Sequence, residues 1–280
     1  MLIGSGRRGF TLAEMLVGVV MLLITLGALH NLLINTQRLA RTQAQQLGLQ
    51  ATVRTAAFVV LNELRELSSV PGGSADRNDL LQVAPTSLTY RAMRGVGFVC
   101  APPTAAGILI ARSSYSGHRD PQPGRDTAYV FVDGGPGPED DSWLPLGISG
   151  VSTGGICSGA EPAIGLTVPG TASMLGVEVG TPVRISEVME LRLYQSELRS
   201  WLGARSVSAG EVVQPVAGPL AESNGLLFEY LDANGASTTD PSSIKSIRVT
   251  IRGVAEHGER MANREERVVA QVALRNALVP

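Results

Sequence analysis

Apolar residues fall along this chain in three regimes. From Phe10 to about Ile34 nearly every position is apolar; between Met15 and Leu29 nothing is charged and Thr25 is the only hydroxyl. Spanning a bilayer takes about 20 such residues, so this run is long enough. From Asn35 to Leu67 the spacing turns amphipathic. Leu49, Val53, Ala57, Val60, Leu64 and Leu67 recur at helical intervals, and Arg54, Asn62, Glu63, Arg65 and Glu66 fill the other faces. No proline intervenes before Pro71, and Ser68-Ser69-Val70-Pro71-Gly72-Gly73 combines several stop signals. The pattern predicts one helix from about Phe10 to about Leu67, roughly 85 Å long at 1.5 Å per residue.

Beyond Pro71 the period falls to two. Leu80–Val83, Ser87–Arg94, Gly107–Ala111, Thr127–Val132, Pro182–Tyr194, Leu226–Asp232, Ile244–Arg252 and Arg267–Leu274 read as strands. Asp232-Ala233-Asn234-Gly235 is a turn signal that follows one of them. Between Asp133 and Pro182 the chain is rich in Gly, Pro and Ser and shows no clear period, so a long functional or mobile loop is expected there. The fold class that follows is α+β, a long N-terminal helix packed on a mainly antiparallel β-sheet head. Its segments are a leader (1–9), a transmembrane stretch (10–34), an amphipathic half-helix (35–68) and a β-rich globular head (71–280).

One carboxylate interrupts the apolar run. Glu14 within a membrane segment costs about 2.5–3.5 kcal/mol on the mildest insertion scale and needs a partner. If the chain were cut after Gly9, Phe10 would gain a free amine that Glu14 of a packed neighbour can pair with. The run Arg7-Arg8-Gly9-Phe10-Thr11-Leu12-Ala13-Glu14 resembles the class III signal of type IV prepilins and type II secretion pseudopilins. That resemblance implies cleavage after Gly9 by a prepilin peptidase, methylation of the new terminus at Phe10, and a register-setting role for Glu14 with a neighbour's Phe10. It also implies a type IV pilin-like fold. Arg7 and Arg8 would hold the leader in the cytoplasm by the positive-inside bias. The head would then lie in the periplasm, on a single-pass inner-membrane subunit that later joins a filament. Three other readings fare worse. A secretory signal lacks its small-residue cleavage box after Leu29, a twin-arginine signal does not account for Glu14, and an uncleaved anchor leaves Glu14 unexplained.

The resemblance extends loosely into the head. Val183–Tyr194 with Trp201-Leu202, then Leu226–Gly235 followed by Ile244–Val249, are similar to the middle of large minor pilins of the PilW kind. The J-type pseudopilins of type II secretion share this layout. The implied function is that of a non-enzymatic minor pilin, priming filament assembly or sitting at its tip for adhesion, motility or DNA uptake. The alternatives are a J-type pseudopilin and, from another class, a filament-carried adhesin or ligand-binding module. The implied partners are the prepilin peptidase, other minor and major pilins or pseudopilins, and an inner-membrane assembly platform.

Composition narrows the chemistry. Net charge is −2 with a pI near 6.0, so no global basic field points to nucleic acid. Arg260, Arg264 and Arg267 alternate with Glu259, Glu265 and Glu266 as a mixed solvated face. Aromatic residues make up 4%, which disfavours a stacking platform for single strands. Gly150-Val151-Ser152-Thr153-Gly154 matches G-x-S-x-G, yet lacks the strand before and helix after that a nucleophile elbow needs. His30, His118 and His257 belong to no metal motif. No cofactor is expected; the only metal candidates are for calcium, at Asp133 with Glu139, Asp140 and Asp141, or at Asp232, Asn234 and Gly235, and neither has the full ligand series. Cys100 and Cys157, carried outside the cytoplasm, are expected to serve as a structural disulfide.

Overall fold

The computed structural model describes residues 9, 11–69, 78–135, 141–169, 176–197, 199–254 and 265–275. The described residues form one α-helix, α1 (Leu12–Arg65, 54 residues), a short 3-10 turn (Arg112–Ser114) and fourteen strands in antiparallel sheets. The chain divides into two compact units, Met1–Leu49 and Gln50–Pro280, and the division falls inside α1.

From Leu12 on, the first unit is helix alone. Its apolar side chains, Leu12 through Leu33, are all exposed, among them Met15 at 65% and Leu23 at 63%. A helix that shows hydrophobic surface all round is built for an apolar surrounding and not for water. It is long and apolar enough to cross a membrane. Thr25 and Thr36 return their hydroxyls to carbonyls one turn back, so neither leaves an unmet donor in that stretch.

In the second unit the remaining turns of α1 bury one stripe. Val53, Ala56, Val60 and Leu64 are fully covered, and Leu67 is 1% exposed. These are the i, i+3, i+4 positions of one helical face. The Tyr90 hydroxyl donates to Glu63 Oε2 at 2.8 Å, which lays that face across β2 (Ser87–Phe98).

The large sheet runs β1 (Leu80–Ala84), β2 (Ser87–Phe98), β9 (Pro182–Ser196), β10 (Arg199–Ser206) and β11 (Gln214–Leu220). β5 (Asp126–Val132) and β6 (Ser142–Gly147) pair alongside the first half of β9, and the short β4 (Ser116–Gly117) pairs β2. A second sheet is β3 (Ile108–Ala111), β8 (Pro162–Thr167) and β7 (Gly150–Ile156) in the order β3-β8-β7. A third is β12 (Leu226–Leu231), β13 (Ser246–Val254) and β14 (Glu265–Ala273).

β9 organises the head because one of its faces serves two cores. Val183 and Ile185 join Ala128, Val130, Ile108, Ile110, Ile164 and Leu166 in one buried cluster under the β3-β8-β7 sheet. Leu191, on the same face by the period of two, belongs to the half of the sheet that the Tyr90–Glu63 bond places under α1.

The Asp133–Pro182 stretch is not one long loop. It contains β6, β7 and β8, and β8 is the central strand of its sheet with Ala163, Ile164 and Leu166 buried. Its glycines serve close packing: a Cβ at Gly165 would come within 2.5 Å of Ser152 Oγ. β10 and β11 also lie where no strand was predicted.

Candidate functional site

At the head of α1 the sequence Thr11-Leu12-Ala13-Glu14 folds as a reciprocal cap. Glu14 N–H donates to Thr11 Oγ1 at 3.3 Å, while Thr11 N–H and its hydroxyl donate to Glu14 Oε2 at 3.0 and 3.1 Å. This is the S/T-x-x-E capping box, which meets helix donors that have no partner one turn back. Glu14 is also an anion at the positive end of the helix dipole. Sequence reasoning singled out the acid and missed the cap, although the T-x-x-E spacing carries that signal. Gly9 lies two positions before Thr11; Arg7, Arg8 and Phe10 lie outside the described residues.

The head holds a second polar cluster that sequence reasoning did not find. Glu187, in mid-β9 and 2% exposed, sits at the seam between the two cores. It accepts from Arg94 Nε at 2.8 Å, Arg125 Nε at 2.5 Å and Arg119 Nη2 at 3.2 Å. Arg119 also grips the buried Asp126 with both terminal nitrogens, at 2.5 and 2.7 Å, and Arg125 reaches Glu211 at 2.6 Å. Arg94 arrives through a bulge: Met93 pairs Ser186 and Gly95 pairs Ile185, so Arg94 is the extra residue that the bulge leaves facing inward. Burial pushes the Glu187 carboxyl up, but bonds from Ser206 and Arg94 with the nearby arginine charges outweigh it and hold the group below its ordinary pKa. Every member is engaged with another, so the cluster reads as a structural brace between the cores.

The remaining candidates resolve individually. Ser152 lies within β7, on a strand and not at an elbow. It lines a shallow groove of about 190 Å³ together with Pro102, Thr104, Leu109, Leu166 and Thr167 among others, and among the described residues no titratable side chain lines it to act as a base. Asp232 Oδ1 is taken by the N–H groups of Asn234 and Ala236, closing the turn with Gly235 at φ +78°. Asp133 Oδ1 is taken by Gly135 N–H at 3.1 Å; Glu139 and Asp140 lie outside the described residues, as do His257, Arg260 and Arg264. Among the described residues no three His, Cys, Asp or Glu side chains gather to hold a metal. His30 sits on α1, and the His118 N–H donates to the Arg94 carbonyl.

Cys100 and Cys157 form a disulfide with Cα atoms 5.4 Å apart, fastening the end of β2 to the β7–β8 turn. No protein-family model, no curated protein and no solved structure matches this chain.

Proposed function

We propose that the chain is a membrane-held filament subunit of the type IV pilus-like class, most simply a minor pilin, and that it has no catalytic role. The observation that carries this is the Thr11–Glu14 cap, placed at the head of an unbroken apolar helix directly behind Arg7-Arg8-Gly9-Phe10. In the waiting subunit Glu14 answers its own helix terminus, which lowers the cost of a carboxylate in the membrane. When subunits pack, the Phe10 amine of a neighbour replaces that local partner or adds to it. A pair formed in low dielectric contributes chiefly registry, because desolvation offsets much of its attraction. The head then rides outside the membrane, with its bulk at the filament tip.

The test is the N-terminal mass of the protein from membranes with and without the prepilin peptidase. A chain beginning at N-methyl-Phe10, seen only when the peptidase is present, supports the reading. An intact Met1, or a cut beyond Leu29, overturns it. A tagged protein found evenly along sheared filaments overturns the tip position alone.

A further inference from the structure

Past Glu14, α1 carries no acidic residue until Glu63, and its first arginines are Arg38 and Arg41. Both are exposed, and their i, i+3 spacing puts them on one face. Ile34 ends the apolar run, so the two lie about 6 and 10 Å beyond it along the helix axis. Glu14 and Arg38 are separated by about 36 Å, the hydrocarbon thickness of a bilayer plus a few ångströms. Thr36, Gln37, Thr42, Gln43, Gln45 and Gln46 surround the pair with polar side chains suited to the headgroup layer.

No carboxylate of the same helix is near enough to answer these charges. Glu14 stands 24 positions before Arg38, and Glu63 stands 22 positions after Arg41. A guanidinium is a planar fork of donors that binds a phosphate oxyanion with two parallel bonds, and its stem can lie along apolar surface while the head reaches outward. The anions found at this depth are lipid phosphates.

We propose that Arg38 and Arg41 form a clamp for the phosphate of anionic phospholipid in the leaflet on the head side, and that this clamp fixes how deeply α1 sits. It rests on the reading of α1 as a membrane span, and not on the filament assignment. Arg54 and Arg65 lie farther along, in the second unit, and take no part.

The test uses the full chain in nanodiscs of phosphatidylcholine with and without phosphatidylglycerol, counting the lipids retained after gentle detergent extraction. Wild type should hold phosphatidylglycerol preferentially. R38Q/R41Q should weaken that preference by roughly thirtyfold, at about fivefold per arginine near a charged surface. R38K/R41K should keep part of it, because the charge remains and the fork is lost. R54Q/R65Q should leave it unchanged. An unaltered preference in R38Q/R41Q, or an equal loss in R54Q/R65Q, overturns the clamp. Displacement of the lipid by free inorganic phosphate overturns the lipid as occupant. A chain that washes out of bilayers with carbonate overturns the membrane span itself, whereas one that stays inserted and shows no preference overturns only the clamp.

Discussion

At the end of α1 the Ser68 N–H donates to Asp79 Oδ2 at 2.7 Å, and the Asp79 N–H donates to the Ser68 carbonyl at 3.0 Å. Burial pushes the Asp79 carboxyl from 3.8 to about 6, against the opposing pull of the Ser68 bond and the charges of Arg91 and Arg184. An acid with a raised folded-state pKa takes up its proton more readily in the folded chain. Its contribution to stability is therefore full below pH 4 and is lost as pH rises through 6. Asp79→Asn keeps an acceptor for Ser68 and removes the charge. It should stabilise the head by about 1–2 kcal/mol at pH 7.5 and by almost nothing near pH 4. Urea titrations of both proteins at the two pH values would show this, and an equal effect at both would contradict it. Lys245 offers a second test. It is the only lysine in a chain with 23 lysines and arginines together, and its Nζ is buried with no hydrogen-bond partner among the described residues. An orphaned buried donor costs about 1–3 kcal/mol, so Lys245→Met should raise the unfolding midpoint. A lowered midpoint would mean that the amine is satisfied after all.

Among the elements, β9 is decisive, because a single charged side chain on it divides two apolar stretches of the same face. Glu187 is the carboxylate that Arg94, Arg119 and Arg125 share. Glu187→Gln preserves shape but leaves three guanidiniums short of one countercharge. Breaking a buried pair typically costs about 3–5 kcal/mol, and the loss should appear in denaturant unfolding of the detergent-held protein with membrane insertion unchanged. A variant as stable as wild type would show that solvent already screens the cluster. The sequence made β9 legible through its alternation of Val183, Ile185 and Leu191. It did not reveal the cluster, whose members are scattered from Arg94 to Glu211 and meet only once the strands that carry or flank them have paired. β7 and β8 were illegible for a different reason. Gly155 and Gly165 look like loop residues, yet a Cβ on Gly165 would fall 2.5 Å from the Oγ of Ser152, its partner across the two strands, so glycine is what lets these strands pair. β10 hides similarly: a Cβ on Gly203 would meet Val213 at 2.6 Å. The helix was legible almost throughout, since its buried stripe coincides with the periodic positions Leu49 to Leu67.

For the whole molecule the disulfide carries two separable consequences, one energetic and one topological. Cys100 and Cys157 are 57 positions apart, and the loop they close contains β3 to β7. Constraining an unfolded loop of that length is worth about 4 kcal/mol in the chain-entropy model. Cys100→Ala/Cys157→Ala should lose about that much, with the loss centred on the small cluster of Ala111, Cys157 and Ala163 against Cys100 and Leu109. The topological consequence follows from compartment. Thiols stay reduced in the cytoplasm and pair in an oxidising space, so the redox state of these cysteines reports which side of the membrane the head occupies. If Arg7 and Arg8 hold the N-terminus inside, as we propose, both thiols should resist a maleimide reagent in denatured whole-cell extracts until a reductant is added, and then both should react. Labelling of both without reductant would place the head in the cytoplasm. That result would reverse the orientation expected from the leader, and with it the proposed assembly of this chain on the outer side of the membrane.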